Sequence, residues 1–167
     1  MNLQYALDHL AILNRYAAYT YAVDCADEEA YLDCFTQDAI VDLASFKVAW
    51  ARAGDALRQF ADEKGLVRGA ENLRKSVGVV NFHHITANVF VRSIEGNRAQ
   101  GSAYFVVFSP DEGKVEHYGR YEDELIKCSD GVWRFKTRQD VALYERDHMP
   151  KIAAQDSRVS RHSGDES

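Results

Sequence analysis

Cysteine is scarce in this 167-residue chain: Cys25, Cys34 and Cys128 are odd in number and share no C-x-x-C spacing. That argues against a disulfide framework and a structural zinc site, and is met most simply by reduced thiols in a cytoplasmic protein. Positive charge is also short. A net charge of −6 and a pI near 5.5 leave no basic field to attract nucleic acid or anionic lipid. No stretch reaches the roughly 18 apolar residues of a membrane span, and Met1 to Leu13 has no basic segment followed by an apolar run, so no signal peptide is visible. No Ser or Cys lies in a recognisable nucleophile motif, and no Asp, His and Glu stand at metal-ligand spacing, so neither covalent nor metal chemistry has sequence support. There is no internal repeat.

What is present is ordinary for a globular protein, 46% apolar and 28% charged. A chain of this length makes one domain able to bury roughly 70% of its unfolded surface, enough for a core and a cavity. The expected domain covers 1–150; the polar residues 151–167 lack periodicity and read as a tail. Helical spacing runs from residue 3 to about 24, with Leu3, Leu7, Leu10, Leu13, Ala17, Tyr21 and Asp24 on one stripe. Asp24 thus closes an apolar stripe, where a carboxylate is costly unless something bonds or titrates it. A short helix from Asp27 to Phe35, a strand at 39–43 and an interrupted helix from Gly54 to about Val80 are expected next.

Beyond Val80 the pattern changes to four strands, 82–93, 98–109, 114–127 and 132–143, separated by turns at Glu95-Gly96-Asn97, Pro110 to Gly113 and Ser129-Asp130-Gly131. Helices first and an antiparallel meander second define an α+β fold, with the long strands free to curl around the helices. The first strand matters most. Alternation puts Phe82, His84, Thr86, Asn88, Phe90 and Arg92 on one face and His83, Ile85, Ala87, Val89 and Val91 on the other. The first of these faces mixes rings with groups able to hold a polar ligand. On the third strand His117 and Tyr121 share a face that turns inward, opposite a solvated row of Glu116, Arg120, Glu122 and Glu124. Tyr21 and Tyr104 are further candidates to donate a hydrogen bond.

Three pieces in this order, Val-Asp-Cys-Ala-Asp (23–27), His-Ile-Thr-Ala-Asn (84–88) and Asp-Gly-Val-Trp-Arg-Phe-Lys-Thr-Arg (130–138), resemble the SnoaL-like branch of the nuclear-transport-factor-like superfamily. The resemblance implies a cystatin-like α+β cone with a deep pocket. It also implies an Asp at the end of the first helix orienting a His on the strand that opens the meander, matching Asp24 and His84, with Asn88 four residues on and Arg138 after the Trp-x-Phe motif. The second histidine of scytalone dehydratase has no counterpart at Val107-Phe108-Ser109, nor its tyrosines at Leu43 and Val23, which points to a different substrate.

The expected function is cofactor-independent lyase chemistry on a small aromatic or alicyclic substrate. Asp24 and His84 are the catalytic pair, and Tyr21, Asn88, Tyr104, His117, Tyr121 and Arg138 bind substrate. An isomerase or polyketide-type cyclase using the same pair, or a non-catalytic module such as an oxygenase small subunit, are the alternatives. No cofactor, metal, nucleic acid or membrane is expected. A homo-oligomer is, and by the resemblance a trimer before a dimer.

Overall fold

The computed structural model describes residues 3–78 and 82–147. The expected tail at 151–167, and the expected helix end at 79–80, lie outside them. The elements are α1 (Leu3–Asp24), α2 (Glu28–Asp33), β1 (Phe35–Asp42), α3 (Lys47–Leu57), β2 (Leu66–Arg68), α4 (Gly69–Ser76), β3 (His83–Glu95), β4 (Arg98–Ser109), β5 (Lys114–Lys127) and β6 (Trp133–Glu145). The four expected meander strands stand where the turns put them. The expected helix after Gly54 does not: α3 starts earlier, at Lys47, and a three-residue strand intervenes before α4. Gly65 and Gly69 cause the interruption, since both have positive φ and a Cβ on Gly65 would meet the Ala44 backbone at 2.9 Å.

One open six-stranded sheet runs β2-β1-β6-β5-β4-β3. All pairs are antiparallel except β1 with β6, which is parallel and was not foreseen. Asn88 and Val89 oppose the single residue Ala103, Glu116 has no partner in β4, and Lys136 and Leu143 have none in β5. Each such bulge bends its strand and reverses the inside–outside alternation beyond it.

The sheet's concave face takes α1, but not by the expected stripe. Asp8, Ile12, Tyr16, Tyr19 and Ala22 are buried, whereas Leu3, Leu7, Leu10 and Tyr21 are exposed. Both rows satisfy a three-to-four spacing; packing decides between them. Tyr16 and Tyr19 set their rings edge-on against Phe135 at 5.1 and 6.1 Å, and Tyr19 also meets Phe35 and Tyr121. At the far end Asp8 is held in the core by Trp133 Nε1 and Lys127 Nζ, which donate to its Oδ1 over 2.9 and 2.7 Å. No described helix is long and apolar enough to cross a membrane.

Candidate active site

Asp24 is the last residue of α1 because the chain stops the helix there. Ala26 takes a left-handed conformation (φ 52°). Its N–H donates to Val23 O and that of Asp27 to Ala22 O, over 3.2 and 2.9 Å, closing the final turn as a glycine usually does. Asp27 then caps α2 by accepting from Ala30 N at 3.0 Å. A carboxylate at a helix C-terminus faces the negative end of the macrodipole, so Asp24 needs a partner elsewhere.

That partner is His84. Asp24 Oδ1 lies 2.5 Å from His84 Nδ1, and Oδ2 accepts the His84 backbone N–H over 2.9 Å. The two side chains are 17% and 13% exposed. The two-point grip fixes both ring and backbone. With Nδ1–H donated to the carboxylate, the neutral imidazole carries its lone pair on Nε2. Adjacent His83 turns outward and is mostly solvent-exposed, its Nδ1 3.8 Å from Asp24 Oδ2.

His84 lines a cavity of about 190 Å³ whose walls are mainly apolar, including Val41, Leu43, Phe46, Trp50, Phe60 and Phe82. His117 lines it too. Across the sheet His84 pairs with Val107, and Val107 with His117, so the two imidazoles flank one buried valine on neighbouring strands. A second histidine therefore stands one strand beyond Val107-Phe108-Ser109. The His117 ring is edge-on to Phe46, Phe82 and Phe105 at 5.0, 5.5 and 6.0 Å. Burial, and then the charge of His84, lowers its pKa to about 3, so it stays neutral and can offer one N–H hydrogen bond.

The remaining expected positions divide. At Asn88 the bulge (φ 52°) ends the alternation that holds from Phe82 to Thr86. Asn88 and Phe90 are thrown outward, and Val91 turns in. Tyr104, 54% exposed, sits on the outer face. Tyr21, 75% exposed, borders a groove between α1 and β3 instead of the cavity. Tyr121 points inward as expected but is sealed in the core, stacked on Phe105 at 4.5 Å.

Arg138, expected to bind substrate, is buried behind the cavity. The Lys136 bulge turns it inward, where Nε and Nη2 donate to Asp123 Oδ1 and Oδ2 over 2.9 and 3.0 Å, both side chains fully buried. Its guanidinium lies 4.0–4.1 Å from the ring centroids of Tyr19, Tyr121 and Phe135. It backs the site without lining the cavity. The acidic run 122–124 is thus not all solvated, since Asp123 is buried. Nor is Glu116 solvated: it is buried at its bulge and bonded to Arg146 at 2.8 Å.

Sequence reasoning missed Asp140. The same bulge turns it inward to line the cavity, and burial raises its pKa to about 7. Only knowledge of the bulge could have found it. Among the described residues no group of three or more His, Cys, Asp or Glu side chains is disposed to hold a metal ion.

A bent sheet packed on N-terminal helices, with an Asp-bonded histidine in the wall of an apolar cavity, defines an α+β cone with an internal pocket. The chain belongs to the SnoaL-like domain family, whose model matches residues 4–139. No curated protein matches it. Among solved structures it is similar to a function-unknown protein of Mycobacterium tuberculosis (25% identity, 81% of this chain and 76% of that one covered, TM-score 0.65). It shares its fold with a proposed scytalone dehydratase of Novosphingobium aromaticivorans (18% identity, 96% and 100% covered, TM-score 0.68). The same holds for a hexachlorocyclohexane dehydrochlorinase of Novosphingobium barchaimii (17% identity, 87% and 93% covered, TM-score 0.65). The expected cystatin-like α+β architecture is the fold of this chain.

Proposed function

We propose that the protein is a cofactor-independent lyase that eliminates water or a comparable leaving group from a small ring compound. The observation that carries this reading is the 2.5 Å contact between Asp24 Oδ1 and His84 Nδ1, with His84 lining an apolar cavity and Asp24 behind it. His84 Nε2 takes a proton from carbon while Asp24 stabilises the imidazolium that forms. The C–H electron pair becomes the new π bond. The leaving oxygen, held by the neutral His117 N–H, receives a proton from the imidazolium and departs as water, restoring the starting enzyme. Of His117, Tyr121 and Arg138, each expected to bind substrate, His117 lines the cavity while Tyr121 and Arg138 do not.

The test is turnover of an identified substrate by Asp24→Asn and His84→Ala. Loss in both supports the assignment; full activity in either removes it. Product mass separates elimination from isomerisation by the same pair, because only elimination changes the mass.

The reading includes a cytoplasmic homo-oligomer, trimeric before dimeric. Ile85, Phe90, Tyr104, Tyr118, Leu143 and Tyr144 are exposed on the outer face of β3 to β6, and an apolar surface of this extent marks a contact site. A monomer by sedimentation would remove this part.

A further inference from the structure

Asp140 is a carboxyl group in the wrong place for stability alone. The residue is only 8% exposed. Its Oδ1 is buried with no hydrogen-bond partner. The nearby Arg138 guanidinium bonds Asp123 through Nε and Nη2 and leaves Nη1 without a hydrogen-bond partner; it acts on Asp140 through its charge and makes no ion-pair contact with it. An unsatisfied buried carboxyl is costly, and such a group facing a cavity points to a partner that arrives from outside.

The other polar groups of the cavity narrow what that partner is. Tyr19, Tyr31 and His117 share the walls, the two phenols near enough to Asp140 to feel its charge; the Trp50 indole N–H donates to Leu43 O and the Ser76 hydroxyl to Leu73 O. His84 Nδ1 is taken by Asp24. No Lys or Arg lines the walls, so nothing there neutralises a carboxylate or phosphate. An apolar cavity of 150 Å³ holds a benzene, so about 190 Å³ suits a single ring with one or two small substituents.

The position of Asp140 separates its task from that of His84. It pairs with Tyr121 on β5, four residues along from His117, and β6 lies three strands from β3. It therefore meets a bound ring at the end away from His84.

We propose that Asp140 is a specificity-determining residue whose carboxyl bonds a ring hydroxyl, so that the substrate class is neutral, single-ring alcohols or phenols. Near neutral pH the carboxyl can accept from that hydroxyl when ionised and also donate to it when protonated. The inference rests on the reading that this cavity binds substrate.

Ligand binding tests it without turnover. Phenol, cyclohexanol, toluene and benzoate are titrated against the full chain by calorimetry and thermal shift. Wild type is expected to bind phenol and cyclohexanol about tenfold or more tighter than toluene, the worth of roughly one good hydrogen bond, and to bind benzoate least. Asp140→Leu should lose this preference while keeping toluene. Asp140→Asn, which retains both a donor and an acceptor, should restore most of it. A purely structural role would not move the phenol-to-toluene ratio.

An unchanged ratio in Asp140→Leu overturns the proposal, as does wild type binding neither alcohol. His84→Ala should keep the preference. If that variant instead keeps turnover, the elimination reading fails while the Asp140 assignment stands.

Discussion

Replacing Asp140 with Asn should stabilise the protein, and by an amount that grows with pH. In the unfolded chain the carboxyl titrates near 3.8; in the fold burial raises it to about 7, the neighbouring Asp123 and Asp42 adding to the rise and Arg138 opposing it. The folded state therefore holds the proton more tightly. Folding is favoured by this group below the lower value, the advantage falls as pH rises between the two, and it is flat above the upper one. Three units at 1.36 kcal/mol each give roughly 4 kcal/mol as the full swing, an upper figure. Asparagine keeps the shape and cannot titrate.

Urea unfolding of wild type and Asp140→Asn, compared from about pH 4 to pH 8, isolates the effect. Asp42, Asp123 and Arg138, and the buried phenols of Tyr19, Tyr31 and Tyr121 whose pKa values are raised, are common to both proteins and cancel to first order. The stability difference should widen by several kcal/mol in favour of the variant. A difference independent of pH would mean that the carboxyl is hydrated in the folded protein, and the argument for an unmet partner would go with it.

His117 works in the opposite direction. Its folded pKa is lowered below the ordinary 6.5, so it contributes stability above that value that is lost as pH falls; His117→Phe should resist acid, with wild type losing up to roughly 1.4 kcal/mol more per pH unit below about 6.5 in equilibrium unfolding. Asp123→Ala strands the Arg138 guanidinium in the core and should cost about 3–5 kcal/mol by chemical denaturation, whereas Asp123→Leu with Arg138→Met should recover most of that loss. In steady-state assays His84→Ala and Asp24→Asn should each lower kcat by about 10²–10⁴, the usual worth of a positioned base and its orienting carboxylate.

The strands and turns of the meander were legible because Gly96, Gly113 and Gly131 punctuate it at positive φ, a local signal. The Asp24–His84 contact was foreseen from the family resemblance, which matched both positions, and His84 faces inward because the alternation stays regular between Phe82 and Thr86. The helix face was not, because two stripes with the same period compete, and only the aromatic floor of the sheet, unknown to α1 when read alone, selects the tyrosines.

The bulges were the larger obstacle. A bulge inserts one residue, and one residue exchanges the two faces of everything beyond it. Nothing in Lys136 or Asn88 as residue types announces this, although asparagine tolerates positive φ better than most. The Asn88 bulge turns outward three side chains, Asn88, Phe90 and Arg92, that strict alternation would place on the inner face. The Lys136 bulge turns two inward, Arg138 into the core and Asp140 into the cavity wall, that the same alternation would leave in water. Asp24 and His84 stand on regular structure, so their pattern survives in the sequence. The groups that tune the cavity stand beyond irregularities, and a bulge is set by pairing between distant strands, which local periodicity does not carry.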